Sequence, residues 1–95
     1  MIVRQGNRHS IEGSVTLDNV ENLLSESKGI EGDDVIVDFS RVTAIDSSAL
    51  SLILELTRRF NGNGGRQITF VNLTQSLRSL AELYGVLELI PVSAD

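Results

Sequence analysis

Residues 34–60 read DVIVDFSRVTAIDSSALSLILELTRRF and contain the clearest structural signals of the chain. The run from Val35 to Phe39 is short, apolar and rich in β-branched residues, which predicts a buried strand covered on both faces. A second extended step follows at Ala44 and Ile45. From Ser51 to Phe60 the apolar residues recur at helical spacing, which predicts an amphipathic helix. The stretch therefore predicts a strand, a tight connection and a helix that packs back on the sheet.

The helix is preceded by Asp46, Ser47 and Ser48, whose side-chain oxygens can accept hydrogen bonds from first-turn N–H groups. Free N–H groups and the positive end of the helix dipole favour an anion or a hydrogen-bonding partner at this point. A phosphoryl group on either serine would be tolerated by the helix and would change the charge of the surface. The residues alone leave two alternatives open: the serines are only a cap and a first-turn residue, or they form a binding surface.

Two motifs carry a family resemblance. Asp38-Phe39-Ser40-Arg41-Val42, followed by Ile45-Asp46-Ser47-Ser48-Ala49-Leu50, resembles the signature of the STAS domain, the family of the anti-sigma-factor antagonists. The resemblance covers nearly the whole chain. It implies an α/β protein with the STAS (SpoIIAA-like) fold, in which a mixed, mostly parallel sheet packs with helices in the order β-β-α-β-α-β-α-β.

The rest of the chain supplies the remaining elements of that order. A hairpin is predicted around a turn at Gly6-Asn7, with Gly13 breaking its second strand. A first helix is predicted from Asn19 to Lys28, capped by Asp18, and a loop over 61–65. A strand from Gln67 to Asn72 is predicted next, followed by a third helix that Thr74 caps and Gly85 ends. The inward face of this helix is predicted to consist of Leu77, Leu80, Ala81 and Tyr84, and an extended segment from Val86 to Val92 completes the chain's predicted elements.

Composition narrows the classes of partner. Ninety-five residues make a single domain, residues 1–95, with one modest core. The formal net charge of −5 argues against nucleic acid and against direct docking on anionic lipid, and favours a basic partner surface. No apolar run approaches the roughly 18 residues of a membrane span, and the first residues lack a signal-peptide pattern. The absence of cysteine fits a cytoplasmic chain.

This chain resembles one subfamily of STAS domains in both its N-terminal and its C-terminal segments. The hairpin with its Gly6-Asn7 turn, the Glu12-Gly13 step and the ending Leu80-Ala-Glu-Leu-Tyr84-Gly-Val-Leu resemble MlaB. MlaB proteins are the small STAS subunits of the Mla ABC transporter, which moves phospholipid between the membranes of Gram-negative bacteria and so maintains outer-membrane lipid asymmetry. The resemblance implies a partner that is an MlaF-like ATPase subunit, and a place in the cytoplasm at the inner membrane through the transporter complex.

The same resemblance points to a partner-binding site at Asp46, Ser47, Ser48 and Ala49. In the MlaB subfamily a threonine directly follows the motif aspartate, contacts the ATPase and precedes two glycines. Ser47 keeps a hydroxyl at the threonine position, whereas Ser48 and Ala49 replace the glycines.

A second role stays open because the serine pair also matches the antagonists. Their second motif is D-S-x-G-L, and a serine within it is phosphorylated. Ser48 stands at the phosphorylated position, with Ala49 replacing the glycine. This alternative implies an anti-sigma serine kinase as the partner and phosphorylation of Ser48 as the switch.

The other candidate residues have ordinary interpretations. Asp38 is expected to tie down the loop that follows its strand, His9 to be an exposed histidine on an edge hairpin, and Arg58 and Arg59 to face solvent. With one histidine, no cysteine and no paired-carboxylate motif, the sequence predicts neither an enzyme nor a metal or cofactor site.

Overall fold

The computed structural model describes residues 1–61 and 64–93. Within these residues the chain forms six strands and three α-helices. The strands are β1 (Ile2–Gln5), β2 (Arg8–Ile11), β3 (Gly13–Val15), β4 (Asp34–Asp38), β5 (Val42–Ile45) and β6 (Gln67–Val71). The helices are α1 (Val20–Glu26), α2 (Ser48–Asn61) and α3 (Gln75–Leu83), with 3₁₀ turns at Ser27–Gly29 and Leu87–Leu89.

Four strands form the main sheet in the order β1-β2-β4-β6. The β1–β2 hairpin is antiparallel, and the β2–β4 and β4–β6 pairs are parallel. The predicted mixed, mostly parallel sheet is therefore confirmed. Both connections between parallel neighbours cross the sheet in the same direction, so crossovers of the usual right-handed sense place α1 and α2 on the same face, where the two helices contact each other.

Burial along β4 shows which face the helices cover. Val35 and Val37 are completely buried, whereas Ile36, on the opposite face, is only partly buried. The prediction that this strand is covered on both faces is wrong, because both crossovers run over the same side.

A second, two-stranded sheet positions the start of α2. β3 follows β2 and β5 follows β4, and the two pair in parallel, with a register shift between Gly13 and Ser14. Gly13 adopts a φ of 93°, which favours glycine, so it bends the chain between two strands and does not end strand structure as predicted. The β3–β5 pair thus extends the β2–β4 pair beyond the carboxyl edge of the main sheet.

The core lies between the main sheet and the helices. From α2 it receives Ala49, Leu52 and Ile53, none of which has measurable exposure. Phe39 and Phe70 meet edge to face within it, with ring centroids 6.3 Å apart. Burial of each large apolar side chain contributes about 1.5–3 kcal/mol, which fixes the orientation of α2 on the sheet.

Several predicted boundaries differ from the structure. The α-helical part of α1 ends at Glu26 and continues as the 3₁₀ turn, and Asn19, not Asp18, precedes its first residue. The predicted cap by Asp18 is wrong, because Asn19 occupies the N-cap position; its side chain makes no cap bond and instead accepts from the Thr16 N–H at 2.8 Å.

The C-terminal part was predicted less well than the centre. Thr74 caps α3 as predicted, its hydroxyl accepting from the Leu77 N–H at 3.1 Å. The helix ends at Leu83, and Tyr84 is 58% exposed, so its assignment to the buried face is wrong. The predicted extended segment contains the 3₁₀ turn Leu87–Leu89, and only Val92 bridges to Phe70. Asn61 belongs to α2, whereas residues 62 and 63 of the predicted loop lie outside the described residues.

Candidate partner-binding surface

The connection from β5 to α2 is organised by the carboxylate of Asp46. Its Oδ1 accepts the Ser48 N–H at 2.8 Å, and its Oδ2 accepts the Leu17 N–H at 3.0 Å. The hydrogen bonds from these two backbone N–H groups lower the pKa of Asp46, and the bond from Leu17 has the larger effect. The Asp46 side chain is therefore ionised at neutral pH. One carboxylate therefore joins the helix start to the turn between β3 and α1.

The first turn of α2 is already satisfied by the chain itself. Besides the Ser48 bond, the Ala49 N–H donates to the Asp46 carbonyl and the Leu50 N–H to the Ser47 carbonyl. The expectation that these N–H groups are free for an incoming anion is therefore wrong. Asp46 takes the position that an external anion would have taken.

The four residues of the predicted site have different exposures. Ser47 is exposed, and Asp46 and Ser48 are partly buried, so these three share one surface. Ala49 is completely buried and packs into the core beneath them. The structure therefore places the Ala49 side chain under the surface and not on it.

Neighbouring elements extend this surface on one side. Thr43 and Ala44 are exposed on β5, close to the start of α3. A shallow concavity of about 240 Å³ is lined by Val42, Thr43, Ala44, Ile45, Thr74 and Ser76. The edge of the molecule that carries the serine pair is thus formed by β5 and by the N-terminal ends of two helices.

Sequence reasoning missed the turn between β3 and α1. Leu17 is 76% exposed there and is tied by its N–H to Asp46. The available signal was an apolar residue outside every predicted strand and helix, directly before Asp18. Only the β3–β5 pairing, which the sequence pattern did not indicate, brings this turn beside the serines.

Asp38 anchors the loop after β4, as expected from its position. Its Oδ1 accepts the Ser40 N–H at 2.8 Å and the Asn72 side-chain amide at 3.0 Å, and its Oδ2 accepts Arg8 Nε at 3.1 Å. Burial alone would raise the pKa of Asp38, but the hydrogen bonds from Asn72, Ser40 and Arg8 outweigh it and hold the pKa at about 2.

The prediction for His9 is wrong. The side chain is 2% exposed and faces the helix layer between Arg4 and Val37 in the sheet register. Within the described part of the chain its Nε2 atom has no hydrogen-bond partner. Burial, together with the charge of Arg4, lowers the pKa of His9, so the imidazole is neutral at pH 7.

The two arginines near the end of α2 also differ. Arg58 is exposed and pairs with Glu55 one turn earlier, as expected for a solvent-facing residue. Arg59 is half-buried and donates from Nη1 to the Ser27 hydroxyl at 3.1 Å, so it joins α2 to the 3₁₀ turn after α1.

Residues 1–61 and 64–93 contain no group of three or more histidine, aspartate or glutamate side chains suited to hold a metal ion. The helices in these ranges are too short or too polar to cross a membrane.

Comparison with solved structures identifies the fold. The anti-sigma factor antagonist SpoIIAA, in its unphosphorylated form, superposes with a TM-score of 0.70 over all of this chain and 88% of its own, at 17% identity. RsbS of Moorella thermoacetica, with a serine replaced by glutamate, gives 0.67 over all of this chain and 86% of its own, at 16% identity. At such identities the similarity shows the fold alone, which is that of a STAS-domain protein.

The family follows from the sequence. The family model described as "Mlab, STAS domain" matches residues 3–91, nearly the whole chain. This chain therefore belongs to the MlaB-type STAS domain family. A comparison with curated proteins finds no match.

Proposed function

We propose that this chain is a non-enzymatic STAS subunit that binds and stabilises the cytoplasmic ATPase of an Mla-type phospholipid ABC transporter. The family match over residues 3–91 carries this proposal. Ser47 stands where the subfamily has its ATPase-contacting threonine, and it is exposed at the start of α2. Its hydroxyl is therefore available to a partner surface.

The surface suits binding better than catalysis. The Asp46 carboxylate is engaged by two backbone N–H groups and kept ionised, which makes it a poor proton donor or acceptor near neutral pH. We expect it to shape the surface while Ser47 and Ser48 contact the partner. Binding would favour one conformation of the ATPase through contacts made only in that conformation.

The test has two stages. Affinity capture of the chain from its own cells at native expression, read by mass spectrometry, should recover an ABC ATPase with its permease. The interaction is then measured with the purified ATPase and the variants Ser47→Glu and Ser48→Glu. We expect both to bind at least tenfold more weakly with little change in melting temperature, because the dipole at the helix start offsets part of the added charge.

A matched control is available on α1. Ser25 is an exposed serine near the C-terminal end of that helix, so Ser25→Glu adds the same charge away from the β5–α2 connection. It should bind like the unaltered chain. Unchanged binding of both Ser47→Glu and Ser48→Glu would remove the serine pair from the interface.

One observation favours a second role, that of an anti-sigma-factor antagonist switched by phosphorylation. Ser48 is partly exposed, and its N–H donates to Asp46 Oδ1 at 2.8 Å. A phosphoryl group on Ser48 would lie beside an ionised carboxylate and would concentrate negative charge at the surface. In this role the capture experiment recovers a small serine kinase in place of an ABC ATPase. Peptide fragmentation in the same mass-spectrometry experiment then locates a phosphoryl group on Ser48.

A further inference from the structure

An exposed leucine lies next to the serine pair. Leu17 is 76% exposed, and its backbone N–H donates to Asp46 Oδ2 at 3.0 Å. Asp46 directly precedes Ser47 in the chain. Scattered exposed leucines are ordinary on protein surfaces, so exposure alone indicates nothing. The position of this leucine, bonded to the residue that also starts α2, distinguishes it.

The turn that carries Leu17 is held in place on both sides. The Thr16 N–H donates to Asn19 Oδ1 at 2.8 Å, and the Asn19 side-chain amide donates to the Ser14 carbonyl and hydroxyl. Asp46 holds the middle of the turn. A side chain presented by a preorganised turn loses little conformational entropy when a partner covers it.

We infer that Leu17 is an apolar anchor of the partner surface, and that Asp46 is the positioning residue that holds it beside Ser47. This inference rests on the proposed function and specifies the surface that the ATPase must offer. Asp18, which follows Leu17 in the chain, and Glu21, in the first turn of α1, are both exposed, and Asp46 is ionised. The complementary surface is therefore an apolar depression bordered by basic side chains, a chemistry that suits a chain with a net charge of −5.

Leu83 provides a matched control. It is 77% exposed, almost the same as Leu17, but it is the last residue of α3. The start of α3, at Thr74 and Ser76, borders the β5 concavity, and a nine-residue helix is about 13 Å long. Leu83 is thus an equally exposed leucine at the end of α3 farther from the proposed anchor.

The experiment titrates the Mla-type ATPase, purified from the same organism, into Leu17→Ser and Leu83→Ser by isothermal calorimetry. We expect Leu17→Ser to weaken binding by about ten- to a hundredfold, the range that follows from burying one leucine side chain. Leu83→Ser should stay within twofold, and both melting temperatures should stay close to that of the unaltered chain, because both side chains are exposed. Equal affinities for the two variants overturn the inference.

The Ser47→Glu variant separates the inference from the function on which it rests. If Ser47→Glu weakens binding and Leu17→Ser does not, Leu17 is outside the interface and the proposed function stands. If the unaltered chain does not bind the ATPase, the proposed function fails and the inference fails with it.

The role of Asp46 is tested by a double-mutant cycle in the same titration. Asp46→Asn leaves one side-chain oxygen where two now accept from Leu17 and Ser48, so the turn loses part of its attachment. If Asp46 positions Leu17, the loss of affinity in Asp46→Asn with Leu17→Ser is smaller than the sum of the two single losses. Additive losses contradict the positioning role. A purely structural effect of Asp46→Asn on α2 would be independent of Leu17 and would give additive losses, so the cycle separates the two explanations.

Discussion

The two ends of β5 carry the same short turn in different surroundings. At one end the Ser40 N–H donates to Asp38 Oδ1 at 2.8 Å, and at the other the Ser48 N–H donates to Asp46 Oδ1 at 2.8 Å. In both places an aspartate accepts from the serine two residues later, a local bond typical of aspartate in turns. Local geometry therefore does not distinguish the two motifs.

The further contacts of the two carboxylates differ. Asp38 is 6% exposed, and its remaining bonds go to Arg8 on β2 and Asn72 after β6, so it joins three strands. Asp46 joins only a surface turn to a helix start, beside an exposed serine. One motif therefore stabilises the fold and the other shapes a surface, and the difference comes from partners distant in sequence.

Removal of Asp38 should have the largest effect. We expect Asp38→Ala to lower the free energy of unfolding by about 2–3 kcal/mol, because a buried ionised group with several hydrogen bonds is lost and its donors are left behind. Urea unfolding followed by circular dichroism measures the change. A loss no larger than that of Asp46→Ala would contradict the distinction between the two turns.

The free energy of unfolding at acid pH provides a second test of the stabilising role of Asp38. The pKa of Asp38 is about 2 in the folded state, below its ordinary value of 3.8. The stabilisation, about 2 kcal/mol, is therefore complete above roughly pH 5 and is lost as the pH falls towards 2. In Asp38→Ala this part of the pH dependence should be absent, whereas a surface control such as Asp18→Ala should keep it.

His9 adds a smaller and separate step nearer neutral pH. Its folded-state pKa lies below the ordinary 6.5, so the unfolded chain binds a proton first. Stability is therefore complete above about pH 7 and decreases as the pH falls through 6.5 towards the folded pKa. Unfolding midpoints measured from pH 7.5 to 5 should show this step, and His9→Gln should remove it. If the step persists in His9→Gln, it arises from another titratable group.

Removal of Asp46 should have the smallest effect on stability and a larger one on binding. Asp46→Ala leaves the Ser48 and Leu17 N–H groups without a protein acceptor at a surface where water can replace it. The melting temperature should fall by clearly less than in Asp38→Ala. Affinity for the proposed ATPase partner should nevertheless decrease, because the turn with Leu17 is released. A fall in stability without a change in affinity would show that Asp46, like Asp38, stabilises the fold and does not shape the partner surface.

The sequence predicted the central elements well because their signals are local. The apolar run of β4, the helical spacing of α2 and the cap at Thr74 each lie within a few residues. His9 was wrongly predicted to be exposed, and the surface position of Leu17 was missed, because their burial and exposure depend on contacts with elements distant in the chain. The same limit applies to Ala49, whose small side chain suits a crowded surface and a core position equally.

The order of strands in the sheet has a consequence for biosynthesis. From β1 through β2, β4 and β6 to the Val92 bridge, spatial order follows chain order, so each strand pairs at the most recently formed edge. Among the described strands of this sheet, none has to insert between two that are already paired. A chain emerging from the ribosome from its N-terminus can therefore extend the sheet by addition alone. The apolar edge of β4 stays open until Gln67–Val71 has been synthesised, which makes that interval the one in which a nascent chain is most exposed to incorrect strand pairing.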